Sequence, residues 1–279
     1  MKCLHFLVAG AGLAAILVVS QANAALVTTN LVQHLDSDIG VNLSGGTDVA
    51  SWDANGVGET VTTADGAPQL NAAALNGVDT ISFDGDKMNG TSTSLYDFGT
   101  GELTWFAVVN VSSNTGTNGR NVFGTLENGG GYNGLELDRN GNFMTAKFRT
   151  DEGPDTNVNE LSGSFDAWRI YTGRRIGNTV EFWVDGVKQN DAVNASTITG
   201  DGLAVGAERT GGTEFAVFEI AHLSFYDAGL AGDATTGDFA EMGLYLENRY
   251  GLDTAFVPEP ASLALMGIGG VVMMVHRRK

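Results

Sequence analysis

Glu136-Leu137-Asp138 is the stretch of this sequence best placed for acid–base work. Side chains at i and i+2 of a strand point to the same face, so both carboxylates would stand together. Two carboxyl groups at a suitable separation are what glycoside hydrolysis needs. The next residues are Arg139, Asn140, Gly141 and Asn142, so no further carboxylate continues the face, and Asn140-Gly141 signals a turn. The stretch reads as a solvated strand face, with no catalytic residue assigned.

Other candidates are weaker still. Gly129, Gly131 and Gly134 fit G-x-G-x-x-G, but a strand follows them, where a dinucleotide site needs a helix. Asp155, Asn157 and Asn159 imitate a calcium loop with Asp166 at its twelfth position, yet Glu160 stands where that loop needs glycine. Asp84 and Asp86 flank Gly85 in an oxygen-rich turn, and Asp53 sits in another. Asp84 and Asp86 are the calcium candidates; no other cofactor is indicated. His34 and His222 are the histidines of the central region, too few for a zinc site by spacing, and His222 reads as a satisfied strand residue. No Gly-x-Ser-x-Gly elbow occurs. Trp105 and Trp183 lie in apolar strands and read as core; Trp52 and Trp168 are less defined, and Tyr132 is an exposed loop aromatic able to meet a sugar.

The elements that would position these groups are strands. Leu103–Val109 is rich in β-formers. Gly134–Asp138 alternates and turns at Asn140-Gly141 into Asn142–Phe148. Trp168–Tyr171 is a further strand, and Thr179–Val184 enters an Asp185-Gly186 hairpin. In Phe215–Tyr226, the period-two set Phe215, Val217, Ala221, Leu223 and Phe225 predicts one face. One helix follows, with Asp238 as cap, Glu241 three residues on, the stripe Phe239, Met242, Leu246 and Tyr250, and a stop at Gly251-Leu252. With no internal repeat, residues 25–256 read as one all-β body.

Composition narrows the classes. The 279 residues carry Lys+Arg 15 against Asp+Glu 33, a net charge of -18. That balance argues against a nucleic-acid partner, which needs clustered cations. Cys3 alone cannot make a disulfide framework. Gly 39 with Pro 4 and many Asn-Gly and Asp-Gly steps fits a turn-rich sheet protein.

Both ends read as addresses. A basic start, the apolar run Leu4–Val19 and Ala22-Asn23-Ala24 predict a signal peptide, residues 1–24, forming an apolar helix and cut between Ala24 and Ala25; an uncleaved anchor is the alternative. At the other end, Val257-Pro258-Glu259-Pro260 precedes an apolar segment, 261–275, and the basic cluster His276, Arg277, Arg278 and Lys279. At ~1.5 Å per residue that segment spans roughly 22 Å, a short transmembrane helix whose basic end stays cytoplasmic. A permanent tail anchor is the alternative reading.

Pro258, Glu259 and Pro260, then an apolar stretch, then Arg277, Arg278 and Lys279, resemble the PEP-CTERM sorting signal of bacterial exported proteins. That resemblance covers residues 257–279 and implies exosortase as a partner. It also implies membrane attachment until the tail is removed, then a place at the cell surface or in an extracellular matrix. Within the body, Trp52-Asp53 before Asn55-Gly56, Ile81–Gly85 after Asn76-Gly77, Trp105–Val109, Phe182–Gly186, Leu203–Gly206 and Tyr245–Leu252 follow one another in an order similar to laminin-G-like, concanavalin A-like domains. This implies a jelly-roll β-sandwich with one C-terminal helix, most often a binder of carbohydrate or protein. Laminarinase-type hydrolases of that fold carry Glu-x-Asp-x-x-Glu, whose last Glu is missing here. A non-enzymatic binding module is therefore expected; a divergent hydrolase using Glu136 and Asp138, or a matrix protein without a specific ligand, are the alternatives.

Overall fold

A computed structural model describes residues 24–116, 120–127, 132–150, 155–161, 163 and 165–256. The signal helix and its residues 1–23, Gly129, Gly131, and the whole of 257–279 lie outside them. So do the sorting triplet, the 261–275 segment and the basic tail. No helix among the described residues is long and apolar enough to cross a membrane.

In chain order the strands are β1 (Leu31–Asp36), β2 (Val41–Gly45), β3 (Asp48–Trp52), β4 (Val61–Asp65), β5 (Gln69–Leu75), β6 (Val78–Asp84), β7 (Lys87–Asn89), β8 (Leu103–Val111) and β9 (Arg120–Gly124). They continue as β10 (Gly134–Asn140), β11 (Phe143–Arg149), β12 (Thr156–Asn159), β13 (Trp168–Ile176), β14 (Thr179–Val184), β15 (Val187–Val193), β16 (Ala204–Val205) and β17 (Val217–Tyr226). A single helix among the described residues, α1 (Gly237–Tyr250), follows.

All strand pairings are antiparallel and resolve into two layers. The first runs β5–β6–β17–β8–β13–β14–β15, with β1 continuing the β6 row along the far half of β17. The second runs β2–β3–β4–β7–β16–β9–β10–β11–β12. An Asp48–Gln69 pairing joins them at one edge. Asn194, just past β15, spans the other by donating to the Phe148 carbonyl and to Thr156 Oγ1, both at 3.1 Å.

The main core lies between the layers. Trp105, Phe182, Leu223 and Phe225 from one sheet meet Trp52, Phe123, Leu137 and Phe148 from the other. Trp105 contacts Phe123 edge-on, ring centroids 5.1 Å apart. Its indole lies over Gly173, its cross-strand partner, where any Cβ would collide with the ring. A second cluster sits on the outer side of the first sheet, under α1. Phe106, Ile170, Trp183 and Tyr226 there pack on Phe239, Met242, Leu246 and Tyr250. Both ends of the body join this cluster. Val27 is buried with its carbonyl accepting from Tyr226 Oη at 3.0 Å, and Phe256 seats its ring against Gly243 of α1.

The all-β expectation and the α1 stripe agree with this arrangement. Asp185 and Gly186 both take positive φ, as a two-residue hairpin turn needs. Gly251 ends α1 in the left-handed region, with the Leu252 amide on Glu247 O.

Two expectations fail. The predicted face of the last strand is wrong, because a bulge between Ile220 and His222 shifts the alternation. The inward set is Phe218, Ile220, Leu223 and Phe225, whereas Ala221 faces the helix cluster. Asp238 is not the helix cap either. The helix starts two residues earlier, with Thr236 as its N-cap and no side-chain cap bond; Asp233 instead braces the preceding turn through the Thr235 amide.

Candidate functional site on the outer face of the second sheet

Leu135 and Leu137 of β10 enter the core, so Glu136 and Asp138 face outward. They are not solvated, as the alternation had suggested: their relative exposures are 1% and 0%. Pairing with β11 explains this. Glu136 stands opposite Lys147 and Asp138 opposite Thr145. The Lys147 ammonium lies 3.1 Å from Glu136 Oε2 and 2.5 Å from Asp138 Oδ2. Arg149 reaches Glu136 Oε1 at 2.9 Å and Asp155 at 3.1 Å.

Further carboxylates arrive from the segment before β17. Asn121 of β9 donates its amide to the Glu214 carbonyl and its Nδ2 to Glu214 Oε2 at 3.4 Å. Glu208 pairs with Arg209 at 2.8 Å. Gly124 of β9 has no side chain because the Glu208 carbonyl occupies that space. At the rim, the half-exposed Tyr132 ring is flanked by the Arg149 guanidinium at 4.5 Å and that of Arg209 at 5.3 Å.

Burial dominates the electrostatics. It pushes the Asp138 carboxyl up to about 6, against the opposing pull of Lys147. Glu214 is pushed up to about 7, by burial first and then by its hydrogen bond to Glu208 and that neighbour's charge. Burial works against the charge of Lys147, but Glu136 and Asp138 overcome it and hold the ammonium above its ordinary value. The face thus offers anchored carboxylate acceptors, guanidinium donors and one aromatic surface.

The remaining candidates are dispersed. Asp86 is committed to its turn: Oδ1 accepts from the Ala67 amide at 2.8 Å and Oδ2 from that of Asp84 at 2.9 Å. Asp84 faces an open cavity of about 310 Å³ on the first sheet, beside Ser82, Asn110, Ser112, Asp166 and Glu219. Asp53 accepts from Asn42 and Thr60. The calcium-loop imitation is β12 with its flanks: Asn159 bonds Thr145, Asp155 pairs with Arg149, and Asp166 accepts from the Ser113 amide. Trp52 and Trp105 are fully buried and Trp183 nearly so, while Trp168 packs beside the helix cluster. Tyr132 alone of the aromatics singled out in the sequence is exposed.

Glu160, buried after β12, accepts from the Met144 amide at 3.3 Å, and burial pushes its carboxyl up to about 7. The folded state therefore keeps this proton longer than the unfolded chain does. Its share of stability is present at low pH and lost as pH rises from about 4.5 to about 7. Glu160→Gln should flatten that fall in urea titrations across this window; an unchanged pH slope would contradict the assignment.

Sequence reasoning missed Lys147, Arg149, Glu208, Arg209 and Glu214. The first two depend on the observed hairpin register, which brings Lys147 across from Glu136, two residues off the register that an Asn140-Gly141 turn implies. Nothing local in the sequence marks the other three.

Comparison with known proteins bears on the tail and on the fold. Residues 256–279 match the family described as the PEP-CTERM protein-sorting motif. A search of curated protein sequences gave no match. Among solved structures, the Trypanosoma rangeli sialidase in complex with sialic acid is similar with TM-score 0.55 and 17% identity, over 81% of this chain and 34% of that one. The receptor binding domain of botulinum neurotoxin C/D mosaic serotype gives TM-score 0.54 and 10% identity, over 72% and 49%. The binding domain of Paraclostridial Mosquitocidal Protein 1 gives 0.51 and 12%, over 78% and 51%. The chain spans about a third of the sialidase and half of the toxin domains, at identities that speak to fold alone. The chain is thus an all-β sandwich protein bearing a PEP-CTERM protein-sorting motif over residues 256–279.

Proposed function

We propose that this is an exported, exosortase-processed surface or matrix protein whose jelly-roll body, residues 25–256, binds carbohydrate through the outer face of its second sheet. The sorting motif carries the export half of this reading. Signal cleavage falls between Ala24 and Ala25. Exosortase acts near Pro258-Glu259-Pro260, with 261–275 in the membrane and Arg277, Arg278 and Lys279 on the cytoplasmic side until processing. The observation that carries the binding half is the half-exposed Tyr132 ring, with the guanidinium groups of Arg149 and Arg209 close by, each of them paired to a buried carboxylate. A sugar ring stacks on the exposed part of such an aromatic ring, while its hydroxyls accept from the neighbouring guanidinium groups. The similarity to a sialidase bound to sialic acid and to two toxin binding domains supports a binding module of this shape.

Lys147 and Arg149 neutralise Glu136 and Asp138, which favours binding over hydrolysis. The test is a glycan array with the secreted body, with and without calcium. Tyr132→Ala should weaken the retained glycan by at least about tenfold, the scale of one lost stacking contact. Unchanged binding would remove this face from the account. Release of reducing ends that stops in Glu136→Gln would replace binding with hydrolysis. Binding that depends on Asp84 and calcium would move the site to the first sheet.

A further inference from the structure

His34 and His222 face each other across the pairing of the first and last strands. Register places Asp36 beside His222 and His34 beside Ser224. Leu35 and Leu223 go to the core, so these polar neighbours lie on the opposite face, under the end of α1. His34, Asp36 and His222 have relative exposures of 1%, 0% and 0%. One ligand atom from each lies within 4.8 Å of the others, and the imidazole centroids are 5.1 Å apart.

The sequence had suggested a satisfied histidine at 222, and only half of it is. His222 Nε2 meets Ser224 Oγ at 3.0 Å, but its Nδ1 has no partner. Neither ring nitrogen of His34 makes a well-aligned hydrogen bond, although the Asn55 backbone is near enough to act on the ring. An orphaned buried polar nitrogen costs about 1–3 kcal/mol, and poorly satisfied nitrogens of both rings lie here beside a carboxylate.

We propose that His34, Asp36 and His222 form a buried structural site for a divalent transition metal of the zinc class, which clamps the first strand to the last. Two imidazoles and one carboxylate are a donor set that such ions accept, with a small ligand completing the shell. Calcium and magnesium prefer all-oxygen shells.

The surroundings fit a ligand shell. Ser224 takes the Nε2 of His222 and leaves Nδ1 for the metal, the tautomer control that ligating histidines commonly have. Asp36 is oriented by the Asp38 amide on Oδ1 at 3.1 Å and by Arg249 Nε on Oδ2 at 2.7 Å. Arg249 also opposes an incoming cation. Asp38, 3.4 Å from its Nη2, offsets part of that charge. Tyr250 closes the site, its ring 6.1 Å from that of His222. The inference is independent of carbohydrate binding.

The full body, unfolded in chelator and refolded with zinc, cobalt(II) or no metal, decides it. After exhaustive dialysis, elemental analysis should find stoichiometric metal in the loaded samples, and cobalt should give the intense visible bands of a four-coordinate nitrogen–oxygen site. Loading should raise Tm by roughly 5–10 °C. His34→Asn and His222→Gln should each abolish retention, whereas Tyr132→Ala should keep it. Wild-type protein that folds, retains no zinc or cobalt and shows no Tm shift would overturn the proposal, whatever the variants do. Retention unchanged in both histidine variants would overturn it as well.

Discussion

Replacing Lys147 with methionine should destabilise the body by about 3–5 kcal/mol at pH 7.5, the usual cost of stranding a buried charge. Among the described residues its ammonium is the one cation that spans Glu136 and Asp138, and both carboxylates are almost fully buried. Arg149 still serves Glu136 in the variant, but Asp138 loses its partner. Its carboxyl, already up to about 6, must rise further. The folded variant then takes up a proton that the unfolded chain releases. The penalty should therefore shrink as pH falls toward 5 and grow above it. Asp138→Leu added to Lys147→Met should restore most of the loss, because an apolar pair of similar volume needs no compensation. Urea unfolding of the single and double variants across pH 5–8 checks both claims. A single-variant loss below about 1 kcal/mol would mean that water reaches this face freely.

Trp105→Ala should cost a similar ~3–5 kcal/mol, for a different reason. The indole is fully buried, packs edge-on against Phe123 and lies over Gly173 on the neighbouring strand. Gly173→Val should be comparably damaging, since its side chain must occupy the volume of the ring. The two sites are therefore coupled. Gly173→Ala alone should cost at least about 2 kcal/mol, and far less in a Trp105→Phe background, whose smaller ring vacates part of that space. Additive losses in this cycle would show that strand β13 yields without help from Trp105.

The layers were readable from the chain because strand alternation and Gly-bearing turns report directly on a two-sided sheet. Leu103–Val109, the Asp185-Gly186 hairpin and the apolar stripe of α1 all stand where their patterns put them. Register was harder. Centring the β10–β11 turn on Asn140-Gly141 sets Glu136 opposite Thr145. The observed turn centres on Gly141-Asn142, with Gly141 alone of that pair at positive φ, and brings Lys147 across instead. That small slip separates a solvated face from a buried ion cluster. The Ile220–His222 bulge acted likewise, since one extra residue inverts every side chain beyond it. Glu208, Glu214 and the His34–His222 pair depend on contacts between distant segments, and no local pattern encodes those.

Val27 and Phe256 are fixed in one apolar cluster on the helix side of the first sheet. Only Val257 separates Phe256 from Pro258, a reach of at most ~7 Å. A tail that follows Phe256 therefore departs from the helical side of the body. On the export reading proposed above, the leash from Phe256 to Ala261 is at most ~17 Å, which would bring that side nearest the bilayer and turn the Tyr132 side outward.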